Sequence, residues 1–364
     1  MSTRNKAPLP EPFRLHRGGE LPGGVIAYET WGELNAARDN AVLLFTGLSP
    51  SAHAASSVQD SRPGWWELLI AAGGALDTNR YFVICVNSLG SCFGSTGPAS
   101  IDPRTGYRYG KHFPEITVED IARGGHAVVE HLGIRQVHAV IGPSLGGMTV
   151  LAFIALFPQA AKHLLSISGT DAASPYAIAL RSLQREAVTL DAAWREGDYL
   201  PESPPRAGLA LARKIGTITY RSARELQQRF ARTPSAEGHD FAVQDYLAQQ
   251  ARKFVDAFDA NCYLRLSRAM DLFDLTQHGD PATLFRRSSL QSALVIGVEL
   301  DQLFSIEEQS RIADALRAGG VTTTFARLDS LAGHDAFLVD FASFDLTLRR
   351  WFDTHSPVGV KHAP

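Results

Sequence analysis

The stretch VHAVIGPSLGGMTVLAFIALFP, residues 137–158, decides the fold because it joins a strand pattern, a tight turn and a helix pattern without interruption. An apolar run of strand character leads into Gly142-Pro143-Ser144-Leu145-Gly146, and an apolar helical run follows. A G-x-S-x-G turn between a strand and a helix is typical of a nucleophile elbow, which strains the serine backbone and exposes its hydroxyl. A glycine-rich turn without chemistry has the same pentapeptide, so the interpretation depends on the flanking strand and helix. Ser144 is the predicted nucleophile.

Other short apolar runs bounded by turn residues predict the remaining strands of a mostly parallel, buried sheet. They cover residues 42–45, 81–86, 164–167, 293–298 and 323–328. Between two of these runs a helical pattern begins after Thr117, a predicted N-cap, and ends before Gly133. Strands that alternate with helices indicate an α/β protein with helices on the faces of the sheet.

The pattern changes in the middle of the chain, where long amphipathic helical stretches replace the alternation of strand and helix. We therefore predict an α/β core made of residues 11–173 and 293–354, with residues 174–292 inserted above the sheet as a helical lid. Residues 1–10 and 355–364 have little periodic pattern and are predicted to be flexible termini.

Composition excludes several classes of partner. The net charge of −3, from 35 basic and 38 acidic side chains, gives no general attraction to nucleic acid or to an anionic membrane. No run is apolar and long enough to predict a membrane span or a signal peptide. Three cysteines without zinc-site spacing predict a cytoplasmic protein rather than a disulfide-bonded secreted one. The glycine-rich GSCFGSTG has neither dinucleotide nor phosphate-loop spacing, so no bound cofactor is predicted and the expected partners are small-molecule substrates.

One acidic and one basic partner for the serine follow it in the chain order that this kind of elbow requires. Asp301 comes just after one predicted strand and His334 lies in the loop after the next, so both belong at the same sheet edge as Ser144. Asp301 would orient the imidazole, and His334 would take the serine proton. Asp301 could instead cap the following helix, His334 is one of 12 histidines, and Glu299 and Asp329 are rival acids.

An oxyanion hole is predicted from two backbone N–H groups near Ser144. One belongs to Leu145, directly after the nucleophile. The other is assigned to Leu48, in the loop of AVLLFTGLSPSAH that follows an early strand.

At this point the motifs resemble those of the homoserine O-acyltransferases, which have the α/β-hydrolase fold. The resemblance extends from about residue 13 to residue 352 and includes the early FTG with His53, then VNSLGSCFGSTGPASIDPRTG, FPEITVEDIA, IGPSLGGM, ARKIGTITYRS, DQLFS and SLAGHDAFLVD. It implies a ping-pong reaction in which Ser144 takes an acyl group from acyl-CoA and an amino-acid hydroxyl then collects it. It also implies a homodimer formed through lid helices, for which the amphipathic stretches 221–232 and 244–258 are candidates, although packing within one chain explains them almost as well.

The resemblance assigns two substrate-binding residues. Arg213 would hold the carboxylate of the amino acid, and Asp335, beside His334, would hold its ammonium group. Without the resemblance, Arg213 is explained equally by an ion pair within the lid and Asp335 by a loop cap.

Two departures from the acetyl-transferring members bear on substrate choice. The loop Gly47-Leu48-Ser49-Pro50 places a bulky leucine and a proline beside the nucleophile, which narrows the acceptor site and favours serine over the longer homoserine. Arg181 stands where those members tend to have an uncharged polar residue, so it could pair with the free carboxylate of a succinyl group; the alternative is a solvated lid arginine.

The predicted reaction is therefore succinyl transfer from succinyl-CoA to L-serine. Homoserine as acceptor, with a succinyl or an acetyl donor, is the nearest alternative. An esterase, in which water takes the acyl group, is the alternative from a different class, and it would not need the pair Arg213 and Asp335.

Overall fold

The computed structural model describes residues 5–235 and 240–356. Its strands are β1 (Asn5–Pro8), β2 (Val25–Trp31), β3 (Ala41–Phe45), β4 (Ile70–Ala71), β5 (Leu76–Asp77), β6 (Phe82–Val86), β7 (Val137–Pro143), β8 (Ala161–Ile167), β9 (Ser292–Val298) and β10 (Thr322–Leu328). Its α-helices are α1 (Val118–His131), α2 (Leu145–Leu156), α3 (Pro175–Thr189), α4 (Arg206–Tyr220), α5 (Ala223–Phe230), α6 (Ala242–Ala257), α7 (Ala260–Leu272), α8 (Pro281–Arg286), α9 (Ile306–Ala318), α10 (Ala336–Val339) and α11 (Phe341–Thr354).

Eight strands form one sheet in the order β1-β2-β6-β3-β7-β8-β9-β10, and β4 pairs separately with β5. The pairings from β6 through β3 to β10 are parallel, whereas β1 and β2 join the sheet in antiparallel pairs. The predicted α/β fold with a mostly parallel sheet is confirmed. Because parallel strands end at one edge, the loops after β3, β7, β9 and β10 meet there.

The central strands are buried on both faces, which is why they are almost wholly apolar in sequence. Along β3, Leu43 and Phe45 belong to the core that contains α1 and α2, whereas Val42 and Leu44 belong to the core under α11. This two-sided packing fixes the register of the sheet, since a slip by one residue would exchange the two faces. Each fully buried side chain of this size contributes about 1.5–3 kcal/mol to the free energy of unfolding.

The segment between β8 and β9 supplies α3 to α8. Four of its helices pack on one another, α3 against α4 and α7, and α4 against α6. The last helix, α8, packs instead against α2 and α9 of the α/β core. The chain therefore returns to the core before residue 292, and the lid division at residues 174 and 292 stays a prediction.

The flexibility of the termini stays a prediction, although the described residues next to each end make defined contacts. Asn5–Pro8 pair with β2 through a backbone ladder, and the next residue, Leu9, is buried. This strand has only four residues, too few for an alternation of apolar and polar side chains to be recognised in sequence. At the other end, the ring of His355 stacks on Trp351 with centroids 4.4 Å apart. The rest of the predicted flexible segments, residues 1–4 and 357–364, lies outside the described residues.

Within residues 5–235 and 240–356, no helix combines the length and the apolar character that crossing a bilayer requires.

Candidate active site

The turn between β7 and α2 holds Ser144 in a backbone conformation that non-glycine residues rarely adopt, with φ of 57° and ψ of −118°. The glycines on either side are required by close approach. A Cβ on Gly142 would lie 2.1 Å from the carbonyl oxygen of Gly146, and a Cβ on Gly146 would lie 2.6 Å from that of Phe45. The predicted strand-turn-helix geometry is therefore present, and it places the serine hydroxyl at the carboxyl end of β7.

The three predicted triad residues form one hydrogen-bonded chain. The Nε2 atom of His334 lies 2.8 Å from Ser144 Oγ, and its Nδ1 atom lies 2.8 Å from Asp301 Oδ2. The other Asp301 oxygen accepts hydrogen bonds of 2.9 Å from the backbone N–H groups of Leu303 and Phe304. Asp301 is thus fixed by the loop after β9 and orients the imidazole between itself and the serine.

Glu299, one of the rival acids, pairs with an arginine and not with His334. Glu299 forms hydrogen bonds of 2.7 and 3.0 Å with the guanidinium of Arg327 on β10, which lowers the pKa of that carboxyl. The carboxylate that contacts His334 Nδ1 is that of Asp301.

Two opposing effects set the pKa of His334. Burial disfavours the charged imidazolium and lowers the pKa, but the negative charge of Asp301 and its hydrogen bond raise it. The charge of Asp335 also raises it, and the net result is a pKa above the ordinary value of 6.5. The environment therefore stabilises the protonated ring that would form when His334 accepts the serine proton.

The residues predicted to supply the oxyanion donors, Leu145 and Leu48, both lie near the serine. Leu145 is the first residue of α2, so its N–H is among those without an acceptor inside the helix. Leu48 lines the pocket that contains Ser144, and a Cβ on its neighbour Gly47 would lie 3.8 Å from Ser144 Cβ. The structure therefore brings the loop after β3 and the start of α2 next to the nucleophile.

The loop after β3 and the lid helices contribute walls of the pocket above Ser144. The predicted residues Gly47, Leu48, Ser49 and Pro50 all line it. On Gly47, a Cβ would lie 3.7 Å from Pro50 Cδ, which shows how closely the loop folds on itself beside the nucleophile.

Arg181, on α3, also lines this pocket, and its side chain is only 5% exposed. The alternative of a solvated lid arginine is therefore wrong. Its Nε donates a 2.6 Å hydrogen bond to Asp271 of α7, whose second oxygen lies 2.6 Å from Arg185 Nη2. Two guanidinium groups thus share one carboxylate, which leaves one positive charge in excess. Among the described residues, nothing accepts a hydrogen bond from either terminal nitrogen of Arg181.

The two residues assigned to the amino acid lie in the same pocket. Arg213 of α4 stands 5.5 Å from the ring of Tyr220 and 4.8 Å from that of Phe254, and within the described ranges it has no ion pair. Its Nε is buried without an acceptor there. Asp335 lies 3.2 Å from Arg221 Nε and, although it precedes α10, its side chain caps no backbone N–H. Neither alternative, a lid ion pair for Arg213 or a loop cap for Asp335, fits these contacts.

Sequence reasoning missed several residues of the pocket wall. They are Gln184, Tyr220, Met270, Leu303, Phe337 and Leu338. Four of them, Tyr220, Leu303, Phe337 and Leu338, fall inside motifs that carry the family resemblance, so those motifs could have indicated them. Gln184 and Met270 come from α3 and α7 of the lid, where no local pattern marks a residue as facing the serine.

Comparison with known proteins identifies the family of the chain. Residues 40–341 match the family described as the alpha/beta hydrolase fold. A serine O-succinyltransferase of Litchfieldella anticariensis is 53% identical over 347 residues, which cover 92% of this chain and 94% of that protein. The chain belongs to the α/β-hydrolase fold family.

Two solved structures are similar over nearly the whole chain. A homoserine O-acetyltransferase from Bacillus anthracis has a TM-score of 0.88 and 26% identity, with 96% of this chain and 97% of that chain covered. Esterase E22 has a TM-score of 0.86 and 27% identity, with 95% and 99% covered. Within its fold family the chain is therefore related to acyltransferases of amino-acid hydroxyl groups. The predicted resemblance to the homoserine O-acyltransferases is confirmed, and the serine O-succinyltransferases are close relatives.

Proposed function

We propose that this enzyme transfers the succinyl group of succinyl-CoA to the hydroxyl of L-serine, through a covalent intermediate on Ser144. The observation that supports it best is the pairing of an aligned Ser144–His334–Asp301 chain with a buried, partly unpaired Arg181 in one pocket. The first feature provides acyl transfer, and the second provides recognition of a dicarboxylic acyl group. The 53% identity to a serine O-succinyltransferase supports the same reaction.

In the first half of the reaction, His334 Nε2 takes the proton of Ser144 as its Oγ attacks the thioester carbonyl carbon. The negative charge on the carbonyl oxygen is stabilised by the backbone N–H groups of Leu48 and Leu145. The carbon–sulfur bond then breaks, and the proton on His334 passes to the thiolate. Free CoA leaves, and the succinyl group remains as an ester on Ser144.

The second half repeats these steps with a different nucleophile. His334 takes the proton of the serine hydroxyl, and that oxygen attacks the ester carbon on Ser144. When the bond to Ser144 Oγ breaks, the imidazolium returns a proton to it. The product is O-succinylserine, and the free enzyme is restored without a cofactor.

The charge around Arg181 favours a succinyl over an acetyl donor. Asp271 neutralises one of the two guanidinium groups that contact it, so the free carboxylate of a succinyl group would neutralise the other. That carboxylate would also accept hydrogen bonds from the terminal nitrogens of Arg181, which have no acceptor among the described residues. An acetyl group would leave the charge and these buried donors unpaired, which costs binding free energy.

Arg213 and Asp335 suit the two charges of an amino acid. The guanidinium of Arg213 lies near the rings of Tyr220 and Phe254, and its Nε has no acceptor among the described residues. It can therefore bind a carboxylate without breaking an ion pair to any of those residues. Asp335 would bind the ammonium group. Its present partner Arg221 also lies 3.1 Å from Glu225, so Arg221 keeps a carboxylate when Asp335 turns to the substrate.

The loop Gly47-Leu48-Ser49-Pro50 would limit the length of the acceptor. It lines the pocket next to Ser144, and proline restricts its backbone. An acceptor whose hydroxyl is one methylene further from its charged groups would need space that this wall occupies. Discrimination of one methylene is worth about 1–3 kcal/mol, so the preference for serine is expected to be finite.

We further propose that the enzyme is a cytoplasmic homodimer that associates through its lid. On α3 and its end, Tyr176, Leu183 and Leu190 are exposed at intervals of seven residues, and on α4 Leu211 and Ile218 are exposed at the same interval. Residues seven apart lie on one side of a helix, so each helix presents an apolar stripe to solvent. Sedimentation should give a dimer mass, and Leu183→Glu with Leu211→Glu should give a monomer; a monomeric wild type contradicts this proposal.

The test of the reaction is a two-by-two assay of succinyl-CoA and acetyl-CoA against L-serine and L-homoserine, following thiol release. Succinyl transfer to serine should give the highest kcat/KM. A preference for acetyl-CoA would contradict the role of Arg181, and a preference for homoserine would contradict the role of the 47–50 loop.

A hydrolase is the second candidate, because esterase E22 shares the fold at a TM-score of 0.86. A reaction without acceptor distinguishes the two functions. A transferase should release about one equivalent of thiol per enzyme and then stop, with a mass increase on Ser144. Continuous release without acceptor would assign the enzyme to the hydrolases.

A further inference from the structure

A second group of ionisable side chains lies where three segments meet. They are the N-terminal arm, which we define as residues 9–24 between β1 and β2, the start of α1, and the segment after α7. The members of the group are His16, Glu119 and His278, and none of them lines the pocket around Ser144. One ligand atom from each, an imidazole nitrogen or a carboxylate oxygen, lies within 4.8 Å of the other two. Three segments far apart in sequence therefore converge on one point.

The three side chains are held in different ways. Glu119 is buried, and its Oε1 lies 3.0 Å from His278 Nε2. The ring of His16 lies 5.7 Å from that of His278 and is open to solvent. The backbone N–H of His16 donates a 2.9 Å hydrogen bond to buried Asp120 Oδ1, which fixes the arm beside α1.

We propose that His16, Glu119 and His278 bind a divalent transition-metal ion of the zinc type. Two imidazoles and one carboxylate form a ligand set that suits zinc and its neighbours rather than magnesium or calcium. In a tetrahedral site, ligand atoms bonded at about 2.1 Å lie about 3.4 Å apart, so closing the widest present spacing needs a shift of up to about 1.4 Å. The exposed His16 can supply that shift, and water can complete the coordination on the solvent side.

The ion would link three segments, which are the chain before β2, the segment after α7 and the first turn of α1. Because this arrangement exists only in the folded chain, binding would stabilise the fold. The chemistry at Ser144 does not involve these residues, so stability and not turnover is the expected readout.

The experiment uses the full chain without a polyhistidine tag, freed of metal by chelation and dialysis. Adding Zn²⁺ in excess over its Kd should raise the Tm by a few degrees or more, and Mg²⁺ should not. His16→Gln and His278→Gln should each remove most of the Zn²⁺-induced increment and weaken binding by more than about tenfold. The control is His112→Gln, which removes an exposed histidine outside the cluster and should keep the full increment.

Metal-induced increments are compared, rather than absolute Tm values, because His278→Gln also breaks the contact with Glu119. His16→Gln breaks no side-chain bond to Glu119 and gives the cleaner reading. The proposal is overturned if the wild type shows no Zn²⁺ increment, or if both cluster variants keep the increment that His112→Gln keeps.

Discussion

The two walls of the pocket differ in how their polar groups are satisfied. On the sheet side, His334 is bonded at both nitrogens and Asp301 at both oxygens before any substrate arrives. On the lid side, Arg181 and Arg213 keep buried N–H groups that have no acceptor within the described ranges.

This difference separates chemistry from selection. The sheet side is complete, and esterases and acyltransferases share the fold that builds it. The lid side is incomplete. Buried cations without full partners destabilise the free enzyme, and the binding of a matching anion removes that cost. We infer that the reaction type is set by the sheet edge and the choice of acyl donor by the lid.

The largest expected effect comes from a substitution on the sheet side alone. Ser144→Ala removes the nucleophile and should lower kcat for succinyl transfer by at least about 10⁴-fold, because the remaining groups cannot form the acyl-enzyme. Thiol release and intact-protein mass measure the loss. Ser182→Ala, a change at an exposed lid serine, is the control and should keep full activity. Near-normal turnover in Ser144→Ala would mean that the triad is not the catalytic centre.

The next largest effect is expected from a substitution on the lid side alone. Arg181→Asn should lower kcat/KM for succinyl-CoA by about 100-fold relative to acetyl-CoA, because only the succinyl carboxylate loses a charged partner. The control is Arg206→Gln, which removes an exposed lid guanidinium from its partner Asp256 and changes no residue that lines the pocket. An equal loss with both donors, or the same change of ratio in the control, would assign Arg181 a structural role.

A smaller effect concerns the 47–50 loop beside Ser144. Pro50→Ala should relax the wall beside Ser144 and raise the ratio of homoserine to serine turnover by up to about tenfold, since one methylene is worth about 1–3 kcal/mol. The ratio is measured with succinyl-CoA as the common donor. Ser51→Ala, just outside the 47–50 loop, is the control. An unchanged ratio in Pro50→Ala would contradict the role of the loop in acceptor length.

The smallest effect tests the charges around His334. Its raised pKa means that the ring stays protonated, and therefore inactive as a base, up to a pH above 6.5. The acid limb of the first half-reaction, followed as a burst of CoA, should have its midpoint above that pH. Asp335→Asn removes one of the charges that raise the pKa and should move the midpoint to lower pH, whereas Glu299→Gln should not. A midpoint below pH 6.5 in the wild type would contradict the description of the site.

The sheet side could be predicted from sequence because each of its parts has a local signal. The elbow needs glycines at fixed positions, and its strand and helix are continuous with it. The chain order of serine, acid and histidine then follows from parallel strands that end at one edge. Predicted strands such as 42–45 and 323–328 differ from β3 and β10 by a single residue at one end.

The lid side could be predicted only in part. Arg181 was identified by comparison with a family pattern, but its partner Asp271 was not, because the two lie 90 positions apart on helices whose mutual orientation no local pattern records. The same reason explains the missed Gln184 and Met270. In the sheet, β2 was missed because it mixes Tyr28, Glu29 and Thr30 in a run without the continuous apolar character of the central strands.

The positive φ of Ser144 also has a thermodynamic consequence for the whole molecule. A non-glycine residue in such a conformation costs about 1–3 kcal/mol, and the structure around it must supply that energy. A Ser144→Gly chain would be relieved of this cost and is expected to melt at a higher temperature than the active enzyme. At this one backbone position, heat resistance and turnover are therefore in direct competition.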